Sequence, residues 1–216
     1  MSDISLDRWV IANEWESKYW DLEVYLDVHQ IQTQYTFAYY MGLFNYRTTP
    51  NIHVFDLQGK SILDVGGGPY SILLKCINYK KAKIIDPCKF PEWIYQRYKS
   101  KNIEFENIMA ENMNESGYDE VWIYNVLEHV YKPDIIVKNA LKAGKIVRIF
   151  EWLTEGGHIG HPQTLTKDKL DLWFDSNGIE EKSENLEEFW LNNPKILKHT
   201  IKNFPFYYGV FNNKTI

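Results

Sequence analysis

Three histidines carry the side chains best suited to take up a proton near neutral pH. His129 stands in Asn125-Val126-Leu127-Glu128-His129-Val130, and His158 and His161 stand three apart in Glu155-Gly156-Gly157-His158-Ile159-Gly160-His161-Pro162. An unperturbed imidazole titrates near pH ~6.5, so each is a candidate general base for an oxygen or nitrogen nucleophile. Glycines around His158 and His161 leave the backbone free to bring them to a substrate. Glu151, a few residues upstream, stands behind them as a further acid-base group. A histidine pair three apart also suits a metal, but no third ligand is evident in the sequence, and no metal is expected.

A second constellation is built to hold a ligand. Leu63-Asp64-Val65-Gly66-Gly67-Gly68-Pro69 is a short apolar strand ending in an acid and then three glycines. Ser61-Ile62-Leu63 brings the backbone up extended, Gly66 and Gly68 permit a turn closed to side chains, and Tyr70 to Ile77 is expected to open a helix. A flat polar or anionic ligand fits against such bare backbone. Asp86 closes Ala82-Lys83-Ile84-Ile85-Asp86 twenty positions after Gly66, where an acid can accept hydrogen bonds from two ribose hydroxyls. Two near-matches point elsewhere. Gly59-Lys60-Ser61 echoes a phosphate-binding loop but precedes its strand, and Ser71 stands where a dinucleotide fingerprint has its third glycine. Nucleotide hydrolysis and hydride transfer are both disfavoured on that account.

The elements that must position these residues alternate along the chain. Extended stretches are expected at 61–65, 82–86, 103–107, 119–124 and 145–150, with helices from Tyr70, from Pro91, over 133–142 and from Lys167 to Ser176, the last capped at Asn177-Gly178. Glu187 to Lys202 reads as helix and Phe206 to Phe211 as a last strand. Residues 5–48 are mostly helical in pattern, with Trp9, Val10, Trp15, Tyr19, Leu22 and Leu26 at three- to four-residue spacing. The expected fold is α/β: a Rossmann-like open sheet, mostly parallel with a final antiparallel strand, over residues 60–216, behind a helical N-terminal cap over residues 1–59. In such sheets the strand-to-helix loops gather at the carboxyl edge, where ligands bind. The glycine loop, Asp86, the stretch after Tyr124 and Glu151 all fall there. Tyr19, Trp20, Tyr35, Tyr39 and Tyr40, with the 156–165 loop, are expected to form a lid over the site.

Leu-Asp-Val-Gly-Gly-Gly-Pro, then Asp86, then Tyr118-Asp119-Glu120-Val121 leading into Val126-Leu127-Glu128-His129-Val130, resembles a class I S-adenosylmethionine-dependent methyltransferase of the "methyltransferase domain 11" style, over roughly residues 60–185. The resemblance implies S-adenosyl-L-methionine as cofactor. It places Asp64, Gly66, Gly67 and Gly68 at the amino-acid end, Asp86 at the ribose, Ala110-Glu111 beside the adenine, and Asn125 with Val126 near the sulfonium. Met109 replaces the acid that usually precedes the alanine, and Ala143-Gly144 replaces the usual proline-glycine-glycine turn. It implies methyl transfer, here expected to an oxygen or nitrogen of a small molecule. His158, His161 and His129 are the catalytic candidates by side chain, although in the family the position of His129 most often belongs to a structural motif. A nicotinamide-dependent oxidoreductase, or an S-adenosylmethionine-binding scaffold without turnover, are the alternatives.

Composition bounds the partners. With 24 basic against 29 acidic residues the net charge is −5, and residues 1–59 hold eight acids against three bases, so neither DNA nor RNA is an expected partner. The chain has no apolar run of membrane-spanning length, and Cys76 and Cys88 form no close pair, so a soluble cytoplasmic protein with reduced thiols is expected. With 8 Trp, 15 Tyr and 11 Phe in 216 residues, aromatic walls over a central site are expected. Oligomeric state is left open.

Overall fold

The structure is a computed structural model that describes residues 4–23, 27–49, 52–153, 157–182 and 205–213. The expected helix over residues 187–202 lies outside the described residues.

Alternation of apolar side chains along each central strand produces two cores, one on each face of a sheet. Ile62, Ile84, Trp122, Tyr124, Phe150 and Phe206 point to one face, and Leu63, Ile85, Val121, Ile123, Ile149 and Tyr207 to the other. Strands buried on both sides read as nearly continuous apolar runs, which is the mark of a covered parallel sheet. That sheet has seven strands: β3 (Ser61–Val65), β5 (Lys81–Ile85), β6 (Ile103–Glu106), β7 (Tyr118–Tyr124), β8 (Gly144–Trp152), β9 (Ile179–Lys182) and β10 (Pro205–Asn212). Their order across the sheet is β6-β5-β3-β7-β8-β10-β9. From β6 to β8 all neighbours are parallel, whereas β10 runs antiparallel to both β8 and β9. The chain first builds outward from β3 to β6 and then returns to the other side of β3 with β7. This reversal opens a crevice at the carboxyl ends of β3 and β7.

Helices α3 (Glu92–Ser100) and α4 (Pro133–Ala143) link these strands, and α5 (Lys167–Phe174) follows β8. Pro133 opens α4, where a missing N–H costs nothing, and Ile136, Val137 and Ala140 are buried. Ahead of the sheet lie α1 (Leu6–Glu23) and α2 (Asp27–Tyr40), followed by a hairpin of β1 (Arg47–Thr49) and β2 (Ile52–Asp56).

Two local expectations are corrected. The stretch from Tyr70 to Ile77 does not form a regular helix. Ser71 caps a four-residue 3-10 turn, Ile72–Lys75, by accepting the Leu73 N–H at 3.0 Å, and Cys76–Ile77 then forms β4. Strand β4 pairs in parallel with β2, and Asn78 takes a left-handed conformation at φ +54°, so the backbone groups a helix would use are spent in a small sheet of order β1-β2-β4. That sheet joins the chain before residue 59 to the chain after the glycine loop. At the other correction, α5 stops at Phe174 with Asp175 left-handed at φ +47°. Gly178 lies instead under the Tyr207 ring, which a Cβ would strike, and leads into β9, a strand absent from the sequence reading.

One buried charge cluster ties the N-terminal segment to the sheet. The fully buried carboxylate of Glu120 on β7 accepts from Arg148 Nε on β8 at 2.7 Å, Lys60 Nζ at 2.7 Å, Tyr46 OH at 2.8 Å and Trp122 Nε1 at 3.0 Å. Arg148 Nη1 also donates to the Met41 carbonyl just beyond α2 at 2.8 Å. Burial favours the neutral acid, but Arg148 and Lys60 outweigh it and bring the Glu120 carboxyl down to about 2. Removing one partner leaves the other charge buried, at a cost of about 3–5 kcal/mol. Arg148→Met is therefore expected to lower the unfolding free energy by that amount in urea titration, and Glu120→Leu with Arg148→Met to recover part of the loss.

Candidate active site

The glycine loop is held from beneath by polar groups. Asp64, the last acid of β3, is fully buried, and its Oδ2 accepts from Ser71 Oγ at 2.5 Å and from Tyr124 OH at 2.6 Å. Tyr124 OH in turn accepts the Ile72 N–H at 3.1 Å. Tyr98 on α3 donates its hydroxyl to the Gly68 carbonyl at 2.7 Å and accepts the Ser71 N–H at 3.0 Å. Arg97 reaches the Pro69 carbonyl. Only glycine fits two of the loop positions. At Gly66, φ is +73° and a Cβ would meet Val126; at Gly67 a Cβ would stand 2.5 Å from Asp64 Oδ2. Asp64 therefore shapes the loop from behind and does not line the cavity above it.

That cavity has a volume of about 400 Å3, within the usual range for small-molecule sites. Gly66, Gly67, Gly68, Asp86, Ala110, Glu111, Asn125 and Val126 all line it, so residues named from four separate stretches of sequence meet at the carboxyl edge. Asp86 accepts the Gly68 N–H at 3.0 Å on one oxygen and the Cys88 N–H at 2.8 Å on the other. Each oxygen keeps a lone-pair direction for a further donor. Glu111 accepts the N–H groups of Tyr131 and Lys132 at 3.0 and 2.9 Å and so braces the approach to α4. Asn125 turns the chain at φ +55°, and the buried Glu151 accepts the next two N–H groups, those of Val126 and Leu127, at 3.1 Å. Glu151 thus lies under the turn that follows β7.

The three histidines come together. Rings of His129 and His161 lie 4.7 Å apart, those of His158 and His161 4.9 Å apart, and all three line the cavity. Helix α1 closes over them. Arg8 donates to the carbonyls of His158 and Ile159, Gly160 faces the Trp15 ring, and Trp15 meets the His158 ring edge-on at 5.1 Å. Burial works against charge on His129, but the carboxylates of Glu16 at 3.5 Å and Glu128 at 3.4 Å outweigh it and raise its pKa to about 10. Burial depresses His161, and Glu128 only partly offsets this. The imidazole ready to accept a proton near neutral pH is therefore His161, whereas His129 is a cation.

Part of the wall was not named from sequence. Trp9, Asn13, Trp15 and Glu16 of α1 line the cavity beside Tyr19 and Trp20, and α2 contributes Thr33, Gln34 and Phe37. The helical spacing of Trp9, Trp15 and Tyr19 marked that face, but the same pattern fits ordinary core burial. Tyr35, Tyr39 and Tyr40 do not line the cavity, correcting the expected lid. Tyr40 lies against Phe150 and Phe206 of the sheet, Tyr35 against His53, and Tyr39 is half exposed. Of the three, it is Tyr40 that covers the sheet.

No protein-family profile and no curated protein sequence matches this chain. Solved structures do. A Thermotoga maritima S-adenosylmethionine-dependent methyltransferase, described as a possible histamine N-methyltransferase, is similar with a TM-score of 0.52 at 12% identity, covering 96% of this chain and 100% of its own. Haemonchus contortus phosphoethanolamine N-methyltransferase 2, in complex with phosphomonomethylethanolamine and S-adenosylhomocysteine, has a TM-score of 0.54 at 11% identity, and this chain (90% covered) spans 59% of its length. The [4+2]-cyclase SpnF has a TM-score of 0.50 at 16% identity, covering 71% and 74% of the two chains. The protein has the class I methyltransferase fold, including the reversed strand beside β8.

Two outcomes test this geometry. Gly66→Ala combines left-handed strain with a clash on Val126 and is expected to cost about 2–4 kcal/mol of stability in urea titration. Burial raises Asp86 to about 6, Asp64 to about 7 and Glu151 to about 8. The stabilisation each acid contributes is complete below its ordinary carboxylate range and is lost as pH rises through those values. That of His129, whose pKa is also raised, is complete below the ordinary imidazole range and is lost through about pH 10. Urea midpoints are expected to fall steadily from pH 5 to pH 9, with a shallower slope in Asp64→Asn.

Proposed function

We propose that this protein is a cytoplasmic S-adenosyl-L-methionine-dependent methyltransferase that moves a methyl group to an oxygen or nitrogen of a small molecule. The observation that carries this reading is the convergence of Gly66, Gly67, Gly68, Asp86, Ala110, Glu111, Asn125 and Val126 on one cavity. The cradle fits the cofactor: the loop over Asp64 leaves no room for a Cβ at Gly66 or Gly67, so bare backbone faces the cavity, and Asp86 keeps acceptor directions for ribose hydroxyls. Gly66 to Gly68 would hold the amino-acid end, Ala110 and Glu111 would flank the adenine, and Asn125 with Val126 would pass near the sulfonium. Asp64 serves this site through the loop it shapes.

When bound, the cofactor supplies an electrophilic methyl on a sulfonium, open to direct displacement. The chain's own work is alignment and exclusion of water. Trp9, Trp15, Tyr19 and Trp20 wall the cavity with flat apolar faces suited to a small organic acceptor. His161, neutral near pH 7, takes the acceptor's proton, and the charged His129 with Glu16 and Glu128 orders the surrounding field. Among the described residues no helix is long and apolar enough to cross a membrane, and Cys76 and Cys88 are free, buried thiols, in keeping with a reducing compartment.

A second reading has one observation in its favour. The same fold is found in a protein described as a [4+2]-cyclase, so this fold need not carry methyl transfer.

Calorimetric titration with S-adenosylmethionine and S-adenosylhomocysteine is expected to show one site per chain. Asp86→Ala is expected to weaken both by about 10- to 100-fold, the worth of hydrogen bonds to a charged acceptor. Absence of heat from either ligand would overturn the cofactor assignment. Stoichiometric binding without consumption of S-adenosylmethionine across a panel of hydroxyl and amine acceptors would favour the second reading.

A further inference from the structure

Sequence alone pairs His158 with His161 and shows no third ligand. The fold instead sets His161 beside Glu128 and His129 of the turn after β7. We propose that Glu128, His129 and His161 form a site for one divalent first-row cation, zinc in the first instance, in the wall of the cavity. One ligand atom from each residue lies within 4.8 Å of the others. Glu128 Oε1 stands 3.4 Å from His129 Nε2, and Glu128 Oε2 stands 3.6 Å from His161 Nδ1. Both separations are long for hydrogen bonds. Each is close to the spacing of about 3.4 Å between ligand atoms that bonds of about 2.1 Å impose around a tetrahedral ion, one Glu128 oxygen facing each imidazole.

The ring is oriented for the same purpose. His129 Nδ1 lies 2.9 Å from the Gly160 carbonyl, which can only accept, so Nδ1 keeps its proton, and it is the second proton, on Nε2 facing Glu128, that an incoming cation displaces. A backbone carbonyl on the far nitrogen is the support that metal-binding imidazoles ordinarily have. Two imidazoles and a carboxylate suit zinc, iron or manganese better than calcium or magnesium, which prefer all-oxygen shells. Glu16, 3.5 Å from His129, adds negative charge beside the site.

Three protein ligands leave coordination positions open, and His129 and His161 both line the cavity. With the ion bound, His161 has no lone pair left for the acceptor's proton. An open position there instead holds a hydroxyl or carboxylate oxygen of the acceptor near the place assigned to the methyl donor, a carboxylate having no proton to lose and a hydroxyl giving its proton to solvent. This role for the ion rests on the methyltransferase reading; the site itself does not.

Chelator-treated protein is titrated with Zn2+ by calorimetry, with metal content measured after gel filtration. One equivalent per chain is expected. His161→Ala, whose side chain is only about a third exposed, and Glu128→Gln are each expected to weaken binding at least tenfold, while His53→Ala, placed against Tyr35 and Phe44, leaves it unchanged. Circular dichroism checks that each variant is folded. Failure of the wild type to take up an equivalent, or His161→Ala binding like the wild type, overturns the site and leaves a plain imidazolium-carboxylate pair. A parallel titration of the metal-free protein with S-adenosylhomocysteine separates the two claims. Binding of that ligand without zinc uptake overturns the metal site alone, and zinc uptake without it supports the site while overturning the cofactor reading.

Discussion

One buried carboxylate holds the site together. Asp64 lies at the end of the central strand, and its Oδ2 receives hydroxyls from β7 and from the turn after the glycine loop. Tyr124 and Ser71 pass the constraint on, the first to the Ile72 N–H and the second through its own N–H to Tyr98 of α3. The loop is thereby pressed against the acid so closely that Gly67 has no room for a side chain. Loop shape and the tie between the loop and α3 follow from this contact, at the mouth of the crevice that strand order opens between β3 and β7.

The same device recurs along the carboxyl edge. Asp86 after β5 accepts two loop N–H groups, and Glu151 in β8 accepts the N–H groups of the turn after β7. A loop at a sheet edge exposes backbone donors that need acceptors once they are buried, and a carboxylate supplies several lone pairs in one place. Desolvation is the counterweight. It raises all three acids, and Glu128 raises Glu151 further. Holding backbone in shape for a ligand is thus coupled to a fold that prefers mildly acidic conditions.

The N-terminal helices depend on a different charge cluster. Glu120, Arg148 and Lys60 meet under Tyr46 and the Met41 carbonyl, and this anchors the segment that carries α1 and α2. From that anchor α2 covers the sheet with Tyr40 and Phe37, and α1 reaches over the histidines, where Trp15 faces His158 and Gly160. The tyrosines expected over the site were misplaced because helical periodicity identifies an apolar face without identifying what it covers. Tyr19 and Trp20 fell on the cavity, while Tyr35, Tyr39 and Tyr40 did not.

The sequence by itself determined the parallel core of the sheet, because strand alternation, the glycine triplet and the acid at the end of each strand are local signals of period two or of fixed spacing. It also determined which residues would gather at the carboxyl edge, since chain order and sheet handedness leave few alternatives. It could not specify the short turn after Ser71, the left-handed stop at Asp175 or strand β9, where pairing with distant chain outweighs local preference. Tertiary structure alone decided the chemistry of the histidines. His129 and His161 have the same intrinsic pKa, but Glu16 and Glu128 stand close enough to hold a proton on the first, and burial strips it from the second. Proton affinity depends on neighbours brought from α1, the turn after β7 and the loop after β8, and those distances exist only in the folded chain.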